Sequence, residues 1–227
     1  MAFKEFMKEL NGARIEGELI KTLFYSLLTS FAFLAILYFL KFRYITDFIG
    51  KYGVSLFFSA LSYALVVPAI KQVKAYKEMP CMSGMMVGMT TGMIFGFLPG
   101  FFVASTNGMF VGSVFGMVLG IIFGIYNGKC CGIMGTMEGI MAGFMGGLMG
   151  AMTAFMLLND NLKAISVIVF IISAFIVFGL NYMIYKEMKE VTNHKKQDNL
   201  FSIVITFILI AITTWFIVFG PRSALFQ

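Results

Sequence analysis

The chain has 227 residues, of which 59% are hydrophobic and only 12% are charged. Soluble domains average about 45–50% apolar and about 25% charged residues, so this composition excludes a soluble globular domain. The net charge is +6, and its expected partner is the anionic surface of a lipid bilayer rather than a nucleic acid. We therefore predict an all-α polytopic membrane protein.

The first 78 residues are predicted to contain one surface helix and two spans. Apolar residues recur at helical spacing from Phe3 onward, with charged residues between them. This pattern predicts an amphipathic helix that lies on the membrane within residues 1–21, or alternatively a solvated tail. Residues 22–78 then hold the first two spans, at about 22–40 and 52–70.

Residues 79–156 form a segment rich in glycine and methionine. From residue 81 to residue 156 it contains 18 of the 24 glycines and 14 of the 19 methionines. Small residues four apart on apolar helices let backbones approach closely in lipid. We therefore predict a Gly-zipper core formed by spans 3–5, and the glycines expected at its helix contacts are Gly84, Gly88, Gly92, Gly96, Gly112, Gly116, Gly120, Gly139, Gly143 and Gly147.

The last segment, residues 157–227, contains two more apolar stretches, which brings the total to about seven transmembrane helices. Lys and Arg concentrate in cytoplasmic segments of membrane proteins. With the N-terminus inside, the inner segments carry 12 of these residues and the outer segments carry 5. We therefore predict an N-terminus inside, in the cytoplasmic membrane of a bacterium or an archaeon.

Three cysteines are expected at the cytoplasmic edge of this core. Cys81 begins span 3, while Cys130 and Cys131 begin span 5, and both spans cross the membrane in the same direction. Thiols stay reduced in the cytosol and are then available as metal ligands. Palmitoylation of the adjacent pair, or no reaction at all, is the alternative.

Spans 3 and 5 each carry their methionines on one helical face. At 100° per residue, Glu138 falls within the methionine stripe of span 5, and glycines occupy the other side. Thioethers and thiolates select Cu(I) over hard cations, and successive weak sites are what conduction of an ion requires. The candidate metal ligands are Cys81, Met82, Met85, Met86, Met89, Met93, Cys130, Cys131, Met134, Glu138, Met141 and Met145.

Span 3 also contains a Met-x-x-x-Met repeat interleaved with Gly-x-x-x-Gly. Met85, Met89 and Met93 carry the first pattern, and Gly88 and Gly92 carry the second. This combination resembles the copper transporters of the eukaryotic high-affinity type, and the resemblance implies Cu(I) chemistry. It covers about a dozen residues, and that family has three spans and an outward methionine site.

The function predicted from these patterns is a transporter or channel for a soft metal ion, with Cu(I) as the favoured ion and possible cofactor. One alternative is a non-metal pore gated at Glu138, and another is a structural assembly subunit whose methionines pack or face lipid. No enzyme is expected, because His194 is the only histidine and the phosphate-binding glycine motif is absent. The expected partners are the lipid bilayer and either further copies of the chain or another membrane protein.

Overall fold

The computed structural model describes residues 15–40, 48–75, 80–188 and 199–221. Within these residues the chain is 94% helical and contains no strand. Seven α-helices follow one another: α1 (Ile15–Leu40), α2 (Phe48–Ala75), α3 (Cys81–Asn107), α4 (Met109–Gly128), α5 (Gly132–Met156), α6 (Leu162–Glu187) and α7 (Asn199–Phe219).

The first helix begins earlier than the sequence pattern indicated. Residues 15–21, which we placed in the surface helix, continue directly into the first span as part of α1. The rest of that predicted surface helix lies outside the described residues.

Six stretches of the described chain are long and apolar enough to cross a membrane. The fourth, Met109–Met156, is 48 residues long and contains both α4 and α5. A hydrocarbon core about 30 Å thick needs about 20 helical residues to cross it. These stretches indicate an integral multi-pass membrane protein.

The helices α3, α4 and α5 approach one another through their glycines. A Cβ atom added to Gly92 would lie 2.8 Å from the carbonyl oxygen of Gly139, and one added to Gly96 would lie 2.8 Å from that of Gly143. A Cβ atom added to Gly120 would lie 2.8 Å from the Cα of Gly143. Any larger residue at these positions would push the helices apart.

The directions of these helices follow from the same contacts. Gly88 lies beside Gly135, and Gly100 lies beside Gly147, so residue numbers rise together and α3 runs parallel to α5. Gly88 also lies beside Gly128, the last residue of α4. Since the start of α3 meets the end of α4, α4 runs in the opposite direction.

Ten glycines were predicted at the helix contacts, and their neighbours differ. Gly112 faces Ala104, and Gly84 faces sulfur atoms. The other eight face the backbone of another glycine. The three-helix unit is therefore closed by backbone contacts along most of its length.

Two further glycines of α5 take part in the packing. Gly146 faces the backbone of Met93, and Gly150 faces the backbone of Phe97. Neither glycine belongs to the regular four-residue series, which passes through Gly147, but the helical wheel places both on the glycine side of α5. The side of α5 that faces α3 is thus wider than the regular glycine stripe.

A single glycine joins α3 to α4. Gly108 has a φ of 109° and a ψ of 167°, a combination that is essentially restricted to glycine. Its N–H donates to the carbonyl oxygen of Ala104. Because the connection is a single residue, α3 and α4 cannot slide along each other. Their fixed alignment also determines where the start of α3 lies relative to α5.

The remaining helices cover only part of this three-helix unit. The helix α2 packs against α1, α3, α6 and α7, whereas α5 packs chiefly against α3 and α4. Among the described residues, no helix lies along the side of α5 that points away from α3 and α4.

We predict that replacing Gly120 with Ala destabilises the protein by about 1–3 kcal/mol, as overpacking of a tight core does. The added methyl group would meet the backbone of Gly143 and Gly92, and backbone cannot rotate away. Gly179→Ala is the matched control, because no atom lies within 4 Å of a Cβ added to Gly179 in α6. Heating the purified protein before size-exclusion chromatography measures both effects. Equal thermal stability of the two variants would contradict the packing described here.

Candidate functional site

Three cysteines meet where α3 and α5 begin. Cys81 is the first residue of α3, and Cys130 and Cys131 belong to a 3-10 turn, Lys129–Cys131, that precedes α5. The Cys131 thiol donates to the carbonyl oxygen of Cys81, with 2.7 Å between Sγ and oxygen. In return, Cys81 Sγ lies 3.9 Å from the carbonyl oxygen of Cys131. We refer to these three residues as the thiol cluster.

Gly84 leaves the space that the cluster occupies. A Cβ atom added to Gly84 would lie 2.7 Å from Cys131 Sγ and 2.9 Å from Cys130 Sγ. Both sulfur atoms therefore rest side by side against the backbone of α3. All three cysteines are free thiols, and Cys81 is exposed. The cluster is thus open to a reagent or an ion from outside.

The 3-10 turn directs the two adjacent cysteines toward α3. Gly132 has a φ of +68°, a left-handed conformation that favours glycine, and its N–H donates to the carbonyl oxygen of Lys129. The turn changes the chain direction between α4 and α5 in three residues. The Cys130 thiol donates to the carbonyl oxygen of Asn127 at 3.2 Å.

Two neighbours of the cluster were not identified from the sequence. Asn127 is buried, and its side-chain Nδ2 has no hydrogen-bond partner within the described residues. Pro80 places its carbonyl oxygen 3.7 Å from Cys131 Sγ. For Asn127, the available sequence signal was the presence of an asparagine one helical turn before two adjacent cysteines. No sequence signal indicated Pro80.

The thiols approach one another without forming a closed ligand set. Within the described ranges, no three His, Cys, Asp or Glu side chains are arranged to hold a metal ion. Each cysteine has a single side-chain torsion that moves its sulfur atom. Rotation about this torsion changes the positions of the sulfur atoms while the helix backbones stay in place.

Methionines form the outer surface of α3 and α5. In the part of the chain that the structure describes, every exposed methionine except Met109 lies on one of these two helices. We call this surface the methionine face, and its exposed members are Met82, Met86, Met89 and Met93 on α3 and Met134, Met137, Met141, Met145, Met149, Met152 and Met156 on α5. The predicted ligand Met85 is only partly exposed.

Glu138 lies within the methionine face of α5 and is partly buried. Met134 precedes it by one helical turn, and Met141 follows it by about one turn. It forms no hydrogen bond or ion pair with any other described residue. The face therefore combines neutral thioether side chains with one carboxylate.

The structure brings the predicted cysteines together and turns the predicted methionines outward. Because glycines occupy the contact surfaces of α3, α4 and α5, the exposed methionine side chains of the described helices point away from the three-helix unit rather than into it. A groove of about 540 Å³ lies elsewhere, between α1, α2 and α6, and apolar residues line most of it. No family model, curated protein or solved structure matches the chain.

We predict that a Cys130→Ser variant, treated with the oxidant diamide, forms a disulfide between Cys81 and Cys131 within one chain. The close approach of the two residues favours this link over one between chains. Peptide mass mapping after alkylation identifies the bond. Two freely alkylated thiols, or only dimers linked between chains, would contradict the geometry of the cluster.

Proposed function

We propose that this protein is a membrane transporter or channel for a soft metal ion, with Cu(I) as the favoured ion. The observation that supports the proposal is the meeting of three free thiols, from segments 50 residues apart, at the start of the two helices that carry the methionine face. Thiolate and thioether ligands bind Cu(I) in preference to hard cations such as Mg²⁺ or Ca²⁺. A sulfur-rich surface that begins at a thiol cluster suits such an ion.

In the proposed topology, α4 and α5 count as separate spans, so that seven helices cross the membrane. An N-terminus inside then puts the starts of α3 and α5 at the cytoplasmic surface. The thiols would remain reduced there, as ligand chemistry requires. The glycine contacts between α3, α4 and α5 act in this proposal as a Gly zipper. The zipper holds the thiol cluster and the methionines in fixed relative positions.

The two sulfur chemistries have different roles in this proposal. Thiolates carry charge and hold Cu(I) tightly at the cytoplasmic end. Thioethers are neutral and bind more weakly, so an ion can leave one for the next, as conduction requires. Glu138 neutralises the positive charge of the ion where the surroundings are apolar and an unpaired charge is costly.

Two alternatives to metal transport are a pore gated at Glu138 and an assembly subunit without transport. The glycine backbones of α3, α4 and α5 are in contact, and Glu138 lies on the outer side of α5. These features give no support to a water-filled pore within one chain. An assembly role would require that the methionine face is covered by lipid or protein without any metal.

Titration with Cu(I) under reducing conditions, in competition with a chelator of known affinity, tests the proposal. We expect the purified protein to bind Cu(I), and the triple variant Cys81→Ser, Cys130→Ser, Cys131→Ser to bind at least about tenfold more weakly, or about 1.4 kcal/mol. Gly84→Ala should also weaken binding, because its methyl group displaces two sulfur atoms, while Gly179→Ala should not. Equal Cu(I) affinity of the wild type and the triple variant would overturn the proposed role of the thiols.

Flux measured in proteoliposomes tests the methionines separately. We expect the combined replacement of Met134, Met137, Met141 and Met145 by Leu to slow Cu(I) transport, since Leu preserves the apolar volume and removes the sulfur. The control is Met109→Leu, which changes an exposed methionine on α4. Unchanged flux in the fourfold variant would favour a role for the methionines in packing or lipid contact.

A further inference from the structure

We infer that the methionine face of α5 is covered by the same face of a second copy of this chain, so that the path for the soft metal is completed between two copies. The inference rests on the proposed function, and it names the partner that the site requires.

The exposed surfaces of the helices differ in composition although all of them would lie in one bilayer. On α1, α6 and α7 the exposed apolar residues are Leu, Ile, Val and aromatic residues, such as Phe24, Ile168 and Val204. On α3 and α5 they are predominantly methionine. Contact with the same lipid does not account for this difference. A flexible, polarizable side chain suits a surface that meets protein.

The glycine faces are not available for a contact between copies. In α3, α4 and α5 they are in backbone contact within one chain. The helix α5 packs chiefly against α3 and α4, and none of the other described helices lies along its methionine side. A second copy would therefore meet the molecule on methionine rather than on glycine.

Glu138 places a carboxylate on this surface, and lipid tails do not stabilise a carboxylate. A carboxylate on a membrane helix usually faces protein or a water-filled cavity, and Glu138 has no partner among the described residues. A Cu(I) ion held only by neutral thioethers keeps its single positive charge, which one carboxylate neutralises. The face and the ion are thus complementary in charge.

Enclosing an ion requires ligands from two sides. The methionines of one helix face, such as Met134, Met141 and Met145, point away from a single axis and cannot surround an ion by themselves. A two-fold axis along the membrane normal would place the same residues of a second copy opposite them, and two-fold dimers are the commonest symmetric assemblies. The second copy would also bring its own Glu138 to the same depth, and the two carboxylates would balance the charge of two Cu(I) ions, one for each copy.

Cross-linking in native membranes tests this arrangement. In a background with Cys81→Ser, Cys130→Ser and Cys131→Ser, we would add Met141→Cys, at a position that is 70% exposed on α5, or Phe175→Cys, at a position that is 73% exposed on α6. A short bis-methanethiosulfonate reagent then links thiols that face each other. We expect a dimer that is cleaved by dithiothreitol, at least about fivefold more abundant for Met141→Cys than for the control.

Equal yields at the two positions, absence of dimer at Met141→Cys, or a cross-link to a different protein would each overturn the inference. Met145→Cys, at a position that is 61% exposed, provides a second position on the same face if the first variant does not fold. The background lacks all three native thiols, so the result does not depend on Cu(I) binding by the cluster. A dimer together with a negative Cu(I) titration would refute the proposed function and leave the contact in place.

Discussion

The close approach of three helix backbones is the constraint on which the rest of this structure depends. Glycines of α3, α4 and α5 meet at distances that admit no side chain, so larger residues cannot take these positions and lie at other positions around the helices. This is why the methionines form an outer surface. It is also why the starts of α3 and α5 lie close enough for cysteines from distant parts of the chain to meet.

Glycines in this unit have two different physical roles. At Gly120 an added methyl group would meet backbone, and the helices themselves would have to move. At Gly84 it would meet two sulfur atoms, which can rotate away. The first kind of glycine holds the helices together, and the second kind makes room for the thiols. A change at Gly84 should therefore alter the cluster far more than it alters the stability of the fold.

Much of the helical organisation is predictable from the sequence, because uncharged apolar stretches of sufficient length mark each span. The meeting of Cys81 with Cys131 is also predictable in part. Two spans separated by one other span must run in the same direction, so both cysteines are expected at one side of the membrane. The start of α1 at Ile15 was not predicted, since a helix can continue through charged residues beyond the apolar stretch.

The surroundings of the thiol cluster and of the methionine face are harder to predict from the sequence. A helical wheel separates the methionines from the glycines but does not show which neighbour lies over which face. The packing of Gly146 against Met93 depends on the crossing of α3 and α5, which no regular spacing encodes. The contact between Cys130 Sγ and the carbonyl oxygen of Asn127 is made by the 3-10 turn, and that turn ends at the left-handed backbone of Gly132.

Binding of a soft metal by sulfur is the central claim, and X-ray absorption at the copper edge of the Cu(I)-loaded, reduced protein tests it most directly. The account predicts a first coordination shell made of sulfur, and replacement of that signal by oxygen or nitrogen scattering, or loss of bound copper, in the triple cysteine-to-serine variant. A first shell of oxygen or nitrogen in the unmodified protein, or identical spectra for the two proteins, would contradict it.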